Sequence, residues 1–395
     1  MRPSVLGIVL TFVFLFGIIL NVHFGLSFVS LYNSRISFSE NYQDDISSQI
    51  INVQNICKPE SDRSRSILCF RKHIEEAVKT YGISPFINAV EQMFTARNTS
   101  QAGAITQCHD LLHAIGQVGG LHSKNMDSTI SSCSSLCTYG CYHGVVEGFL
   151  ARGANLLDEL PKLCAAIPDD DLNRGSRSAC FHGLGHGVAT IAGYKLKRSL
   201  ELCDSLQKEE ERKDCGTGVF MELYEPSSFE HPLLEFPEDI PDFCSTLWGV
   251  YAEVCYVTAG VHEYGRSMDE KKAFTTCGEA PSSLQRPCIV STGQNFYFVF
   301  EGEREDIVRS CKKAPSPASY RACLEGALVS SVISDSERHG ASLCVIIEEG
   351  FKPTCFELLG LYVKERHGPQ KQEQFCESSV IPDSFQKHCL TQLND

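Results

Sequence analysis

Three pairs of potential metal ligands recur in neighbouring segments of the chain, each with a spacing of four residues. The pairs are His109 with His113, His143 with Glu147, and His182 with His186. Residues four apart on a helix lie on the same face, so both side chains of a pair can bind one ion. Imidazole and carboxylate groups together suit zinc, copper or iron. The sequence therefore predicts a transition-metal site formed by these six residues, which we call the histidine band.

Each pair begins one or two residues after a cysteine, namely Cys108, Cys141 or Cys180. This common position predicts that the pairs occupy similar places on three adjacent helices. Adjacent helices pack about 8–10 Å apart, and imidazoles from two neighbours can reach a common point at that distance. We therefore expect at least three of the six groups to converge. The candidates to orient these ligands through hydrogen bonds are Asp110, Glu222, His262 and Glu263.

A purely structural role is also open for these histidines. Glycines surround them, including Gly144, Gly148, Gly183 and Gly185, and glycine lets helices pack closely. A histidine between such helices is often a hydrogen-bonded residue of the core. A c-type haem is disfavoured, because the CxxCH motif is absent. No GxSxG, HExxH or P-loop motif indicates another reaction.

The first thirty residues predict export from the cytoplasm. Residues 5–22 carry no charge and are preceded by Arg2. This length is near the minimum for a transmembrane helix, and the positive charge before it favours an outward-facing chain. Residues 1–30 are therefore either a membrane anchor or a signal sequence that is cleaved after Ser27. Residues 31–56 are largely polar and predict a linker.

Cysteine usage agrees with export. The chain has 20 cysteines, an even number, and no CxxC pair, which favours disulfides over metal clusters. The cysteines form two periodic series. The first series is Cys69, Cys108, Cys141, Cys180, Cys215, Cys255, Cys288, Cys323, Cys355 and Cys389. The second series precedes most members of the first by 11 to 16 residues, and is Cys57, Cys164, Cys203, Cys244, Cys277, Cys311, Cys344 and Cys376.

The residues between the cysteines predict a helical repeat. A run of about 9–11 small and apolar residues with helical spacing follows most cysteines of the first series, and a more polar helix comes after it. Polar stretches such as 208–213 predict turns. One such hairpin cannot bury its apolar face alone, whereas about ten stacked hairpins can. The predicted fold is all-α, a disulfide-stapled α-solenoid of about ten helix-turn-helix repeats over residues 57–395.

Spacing also predicts the disulfide pairing. Eight bridges would each join a second-series cysteine to the next cysteine of the first series, and each would stabilise the fold by about 2–4 kcal/mol. Four cysteines remain, and these are Cys108, Cys133, Cys137 and Cys141. The dipeptide Leu136-Cys137 resembles Leu163-Cys164, which favours a Cys137–Cys141 bridge and leaves Cys108 to pair with Cys133.

Two segments resemble a known repeat family. Segment 264–277, which begins Tyr-Gly-Arg and ends in cysteine, and segment 355–362, Cys-Phe-Glu-Leu-Leu-Gly-Leu-Tyr, are similar to Sel1-like repeats, which are relatives of the tetratricopeptide repeat. The likeness is to the cysteine-rich secreted kind, whose helical hairpins carry a disulfide. The resemblance implies a concave face that is lined by the first helix of each hairpin and is usually used to bind proteins.

The net charge of the chain disfavours two classes of binding partner. The formal net charge of −14 disfavours nucleic acid and anionic membrane surfaces, because both need a basic face.

Two hypotheses about function follow from the sequence. The first is an extracytoplasmic metal-binding protein or metalloenzyme whose site is the histidine band. The alternative is a surface scaffold that binds a protein or peptide in the groove of the solenoid, with the histidines as packing residues.

Overall fold

The computed structural model describes residues 46–57, 63–96, 102–135, 137, 139–152, 162–170, 174–224, 237–334 and 337–391. All regular structure in these residues is helical, with no β-strand, so the predicted all-α class is confirmed for this part of the chain. The anchor or signal sequence predicted in 1–30 lies outside the described residues. Within them, no helix is long and apolar enough to cross a membrane.

One compact unit spans Val53–Asp395. In its described part, ten helices carry the first cysteine series, and we call them the main helices. They are α2 (Arg63–Tyr81), α4 (Ala102–His122), α6 (Gly140–Leu150), α7 (Arg174–Ile191), α9 (Glu209–Tyr224), α11 (Val250–Ser267), α13 (Ser282–Val299), α15 (Pro317–Ile333), α17 (Lys352–His367) and α19 (Asp383–Leu390).

Shorter helices connect most of the main helices. They are α3 (Ser84–Ala96), α5 (Met126–Ile130), α8 (Leu196–Cys203), α10 (Ile240–Ser245), α12 (Glu270–Glu279), α14 (Arg304–Cys311), α16 (Glu337–Ile346) and α18 (Pro369–Cys376), with a 3₁₀ turn at Glu349–Phe351. Residues 46–57 are also helical and form α1, so the described end of the predicted linker 31–56 has regular structure.

Each main helix packs against the next main helix along the chain, from α2 on α4 to α17 on α19. This packing between neighbours is the arrangement that a repeat array needs to bury its apolar faces. It is consistent with the helix-turn-helix unit that the sequence predicts. The number of repeats and a solenoid course stay predictions.

Several main helices begin earlier than the sequence predicts. Helix α9 begins at Glu209, six residues before Cys215, so the prediction of a turn over 208–213 is wrong. Three glutamates occupy its first turn, where negative charge is stabilised by the helix dipole. One of them, Glu211, is 9 % exposed and accepts a hydrogen bond of 2.7 Å from Arg177 on α7. The negative charge at the N-terminus of α9 and this buried ion pair stabilise the polar segment 209–213 as a helix.

All 20 cysteines are paired. The eight predicted local bridges are confirmed, and they are Cys57–Cys69, Cys164–Cys180, Cys203–Cys215, Cys244–Cys255, Cys277–Cys288, Cys311–Cys323, Cys344–Cys355 and Cys376–Cys389. Such a set of disulfides is typical of an extracellular or secreted protein.

The predicted pairing of the other four cysteines is wrong. The bridges are Cys108–Cys137 and Cys133–Cys141, not Cys137–Cys141 and Cys108–Cys133. The carbonyl of Cys137 lies 3.0 Å from Nδ1 of His109, next to Cys108 on α4. The carbonyl of Cys133 accepts a 3.0 Å hydrogen bond from the Tyr142 hydroxyl, next to Cys141 on α6. The loop before α6 therefore holds Cys137 beside α4 and Cys133 beside α6.

Glycines bring the backbones of neighbouring main helices into direct contact. A Cβ atom on Gly144 of α6 would lie 2.0 Å from the carbonyl oxygen of His113 on α4. A Cβ atom on Gly120 of α4 would lie 2.0 Å from the carbonyl oxygen of Val145 on α6. Since real Cβ contacts are much longer, only glycine permits this approach. As a result, side chains of α4 and α6 that project beside this contact lie close together.

One contact joins distant parts of the unit. The guanidinium of Arg366, near the end of α17, donates hydrogen bonds to the Tyr139 hydroxyl and, at 3.2 Å, to the carbonyl of Ser135. It also lies 5.0 Å from the centre of the Tyr139 ring, where a cation is attracted by the ring face. The end of α17 thus binds the loop that precedes α6.

Candidate functional site

The three predicted pairs lie on consecutive main helices. His109 and His113 are on α4, His143 and Glu147 on α6, and His182 and His186 on α7. The distances between ring centres are 5.9 Å for His109–His113, 5.5 Å for His109–His143, 6.4 Å for His113–His143, 4.9 Å for His143–His182, 6.4 Å for His143–His186 and 4.9 Å for His182–His186. The five imidazoles therefore form one continuous group, with His143 in its middle.

The histidine band has a shallow row and a deep row. The first member of each pair, His109, His143 or His182, is half-buried. Among the second members, His113 and His186 are each only 3 % exposed. Solvent therefore reaches one edge of the band, while the other edge lies within the helix packing.

Each deep histidine lies against a carboxylate. Nδ1 of His186 is 2.8 Å from Oε2 of Glu222 on α9, and Nε2 of His113 is 3.2 Å from Oε2 of Glu147 on α6. Glu222 is fully buried. A carboxylate beside one ring nitrogen favours the proton on that nitrogen and leaves the other as an acceptor. The acceptors are then Nε2 of His186 and Nδ1 of His113.

The shallow histidines can be assigned in the same way. Nδ1 of His109 donates to the carbonyl of Cys137 over 3.0 Å, which leaves Nε2 as its acceptor. Nε2 of His182 lies 3.1 Å from Nε2 of His186. With a proton of His186 on Nδ1, beside Glu222, this short contact places a further proton between the Nε2 atoms of His182 and His186. A single proton therefore holds two potential ligand atoms together.

The charge states in the band suit metal ligands. Burial, and after it the neighbouring His186 and His113, lower the pKa of His182 to about 3. Burial and then the four surrounding histidines hold the pKa of His143 well below its usual value. Burial opposes ionisation of Glu147, yet its contact with His113 keeps the pKa of that carboxyl below normal. The two imidazoles are thus neutral and the carboxylate is charged at neutral pH, as metal binding requires.

Of the residues predicted to orient the ligands, Glu222 does contact the band. His262 lies on α11 with its ring centre 5.7 Å from that of Tyr224, and Glu263 is paired with Arg266. Asp110 is buried on α4, next to His109.

Gln117 was missed by the sequence analysis, although it follows His113 by four residues on α4. Its Nε2 donates to Oε1 of Glu147 over 2.8 Å. Extending the same spacing by one further step along the helix would have found it.

The structure brings the six predicted residues together but does not contain a finished metal site. In the described residues, no group of three or more His, Cys, Asp or Glu side chains is already arranged to hold a metal ion. Coordination by three of them would need rotation of the imidazoles. Metal binding at the histidine band therefore stays a prediction.

The fold and the site together define the class of protein: a disulfide-rich, all-helical protein with a partly buried band of histidines and carboxylates. No family model, curated protein or solved structure matches the chain.

Proposed function

We propose that the protein is an extracytoplasmic metal-binding protein and that the histidine band is its metal site. The observation that supports this most is the 3.1 Å separation of the Nε2 atoms of His182 and His186. A metal about 2.0–2.1 Å from both atoms would subtend an angle of roughly 100°, which lies between the octahedral and tetrahedral values. A metal ion could therefore replace the shared proton once the two rings rotate to aim both nitrogens at it.

Glu222 supports the same proposal. Ligand histidines in metal sites usually donate their second ring N–H to a carboxylate, which fixes the orientation of the ring and raises its basicity. The contact between Nδ1 of His186 and Glu222 has this form.

The exposure of the shallow row determines whether a substrate could reach a bound ion. A bound ion would be reached from solvent past His143 and His182, which are half-buried. An ion with a coordination position open to water or substrate is the arrangement of hydrolytic and redox metalloenzymes. Zinc, copper and iron all accept imidazole ligands. We propose a metalloenzyme of this general kind.

Metal analysis of the exported chain tests the proposal. The protein is purified without a histidine tag, stripped with chelator, refed separately with zinc, copper and iron, and desalted before elemental analysis. We expect stoichiometric binding of at least one of these metals, and a marked loss of it in the double variant His143→Ala, His182→Ala. The matched control is His73→Ala, because His73 is exposed on α2. No retained metal under any condition would disprove the proposal.

The alternative function is binding of a protein or peptide, and one cleft favours it. A cavity of about 570 Å³ opens beside α7 and α9, and its described lining is Asp169, Asp170, Arg177, Ser178, Phe181, Lys208, Glu210, Glu211 and Asp214. Carboxylates outnumber the basic groups in this lining. Such a cleft suits a basic peptide. Binding of such peptides by protein that retains no metal would support this alternative.

A further inference from the structure

His143 lies between two pairs of histidines rather than at the end of a row. Its ring centre is 5.5 Å from that of His109 on one side and 4.9 Å from that of His182 on the other. The deeper members, His113 and His186, both lie 6.4 Å from it. Neither ring nitrogen of His143 makes a hydrogen bond within the described residues. The central imidazole therefore has two nitrogens open to new bonds, with a histidine pair to either side.

The spacing of the rings can be compared with what one metal ion allows. With metal–nitrogen bonds of about 2.0–2.1 Å, and a ring nitrogen roughly 1.2 Å from the ring centre, two imidazoles on one ion have centres at most about 6.4 Å apart. All three separations among His109, His113 and His143 fall within this limit. So do the three separations among His143, His182 and His186. Each triple can serve one ion once its rings rotate and move slightly inward, since the limit of about 6.4 Å applies to two nitrogens on opposite sides of the ion.

The two triples are built alike. In each of them the deep histidine lies against a carboxylate, Glu147 for His113 and Glu222 for His186. The Nδ1 atom of His113 is buried without a hydrogen-bond partner. A buried acceptor without a partner is unfavourable, and a metal ion would satisfy it. The first triple, to which His113 belongs, thus contains a buried ligand atom without a hydrogen-bond partner.

We infer that the histidine band holds two transition-metal ions, one bound by His109, His113 and His143 and the other by His143, His182 and His186. The imidazole of His143 bridges the two ions through its two nitrogens. The bridge forms when the remaining ring N–H of His143 gives its proton to water and a metal–nitrogen bond takes its place. The carboxylates of Glu147 and Glu222 offset part of the positive charge. This inference rests on the proposed metal-binding function.

Metal stoichiometry of the full chain tests the inference without any variant. We expect two copper ions per chain at saturation after stripping and refeeding. The variant His109→Ala, His113→Ala and the variant His182→Ala, His186→Ala should each retain one ion, while the control His73→Ala retains two. A wild-type stoichiometry of one would overturn the two-ion site and leave the proposed function intact. A stoichiometry of zero for copper, zinc and iron alike would overturn both.

Electron paramagnetic resonance tests the bridge separately. Two Cu²⁺ ions on one imidazolate couple magnetically, so we expect the signal per copper to fall at full loading. In the two pair variants, which hold single ions, the signal per copper should be that of isolated Cu²⁺. An undiminished signal from wild-type protein with two bound coppers would show that His143 does not bridge them. Circular dichroism checks that each variant is folded.

Discussion

Oε2 of Glu222 lies 2.8 Å from Nδ1 of His186, on the neighbouring helix. Helix α9, which carries Glu222, contributes none of the six predicted ligands. The carboxylate is fully buried, and burial of a charged group is unfavourable unless a partner binds it. Its position beside the histidine band therefore indicates a specific role in orienting His186.

Replacement of Glu222 by glutamine should weaken metal binding without removing a ligand. We expect Glu222→Gln to lower metal affinity by about 10- to 100-fold, because the amide no longer fixes the ring of His186 as a carboxylate does. Competition titration against a chromogenic chelator measures the change. Glu201→Gln, on the exposed surface of α8, is the control. Equal affinities for wild type and Glu222→Gln would remove Glu222 from the site.

A methyl group at Gly144 should disrupt the contact between α4 and α6. Its Cβ would lie 2.0 Å from the carbonyl oxygen of His113, so the two helices must separate. We expect Gly144→Ala to destabilise the protein by about 1–3 kcal/mol and to lower its metal content. Thermal melting measures the loss of stability, and elemental analysis measures the metal content.

The matched control for this change is Gly265→Ala on α11. No atom lies within 4 Å of a Cβ built there, and the residue is exposed. Alanine in an open helical position should stabilise by about 0.5–1 kcal/mol. If Gly144→Ala were as well tolerated as Gly265→Ala, the direct backbone contact between α4 and α6 would be refuted.

Acid should destabilise the metal-free protein through its buried histidines, although burial raises the pKa of Asp214 to about 6 and offsets part of the effect. The unfolded chain protonates His182 below its ordinary pKa of 6.5, whereas the folded protein does so only near pH 3. The unfolded state therefore binds the proton more readily, and stability falls as pH decreases from about 6.5. The low pKa of His143 acts in the same direction.

Thermal melts between pH 7 and pH 5 test this pH dependence. We expect the melting temperature of metal-free wild type to fall across this range. The decline should be shallower in His182→Gln, while His73→Gln should behave like wild type. A slope in His182→Gln as steep as in wild type would show that His182 is not protonated on unfolding in this window.

The pairing of the four cysteines before and in α6 can be read by mass spectrometry. Chymotrypsin cleavage after Leu136 and Tyr139 separates Cys133, Cys137 and Cys141 into different peptides. We expect the peptide 137–139 to be linked to the peptide that contains Cys108, in agreement with the Cys108–Cys137 bridge. A link from 137–139 to the peptide that contains Cys141 would contradict the structure.

Much of the fold follows from the spacing of the cysteines. Short bridges such as Cys203–Cys215 recur with nearly constant separation, and this local regularity predicts both the pairing and the helical unit. The partner of Cys137 has no such regularity. It depends on which helix the loop lies against, and the hydrogen bond from His109 that holds the loop there leaves no mark in the spacing.

In the site, too, local spacing along one helix could be read from the sequence, whereas contacts between helices could not. The six residues of the histidine band could be predicted because each pair lies within one helical turn and a half. Glu222 was one of four candidates for orienting the ligands, but the repeat does not single it out, since it lies seven residues after Cys215, whereas His186 lies six after Cys180. Only the rotation of α9 against α7 brings the carboxylate to His186.

The contact of Arg366 with Tyr139 and Ser135 has a consequence for how such a chain can evolve. An open array of repeats can gain or lose a unit by duplication or deletion, because each unit contacts only its neighbours. Here a unit inserted between α7 and α17 would carry Arg366 away from Tyr139. The guanidinium would lose its acceptors, and the loop before α6, which also holds His109, would lose its support. We therefore expect the number of units between these two points to be fixed among related chains, with changes in length confined to the ends of the chain and to its loops.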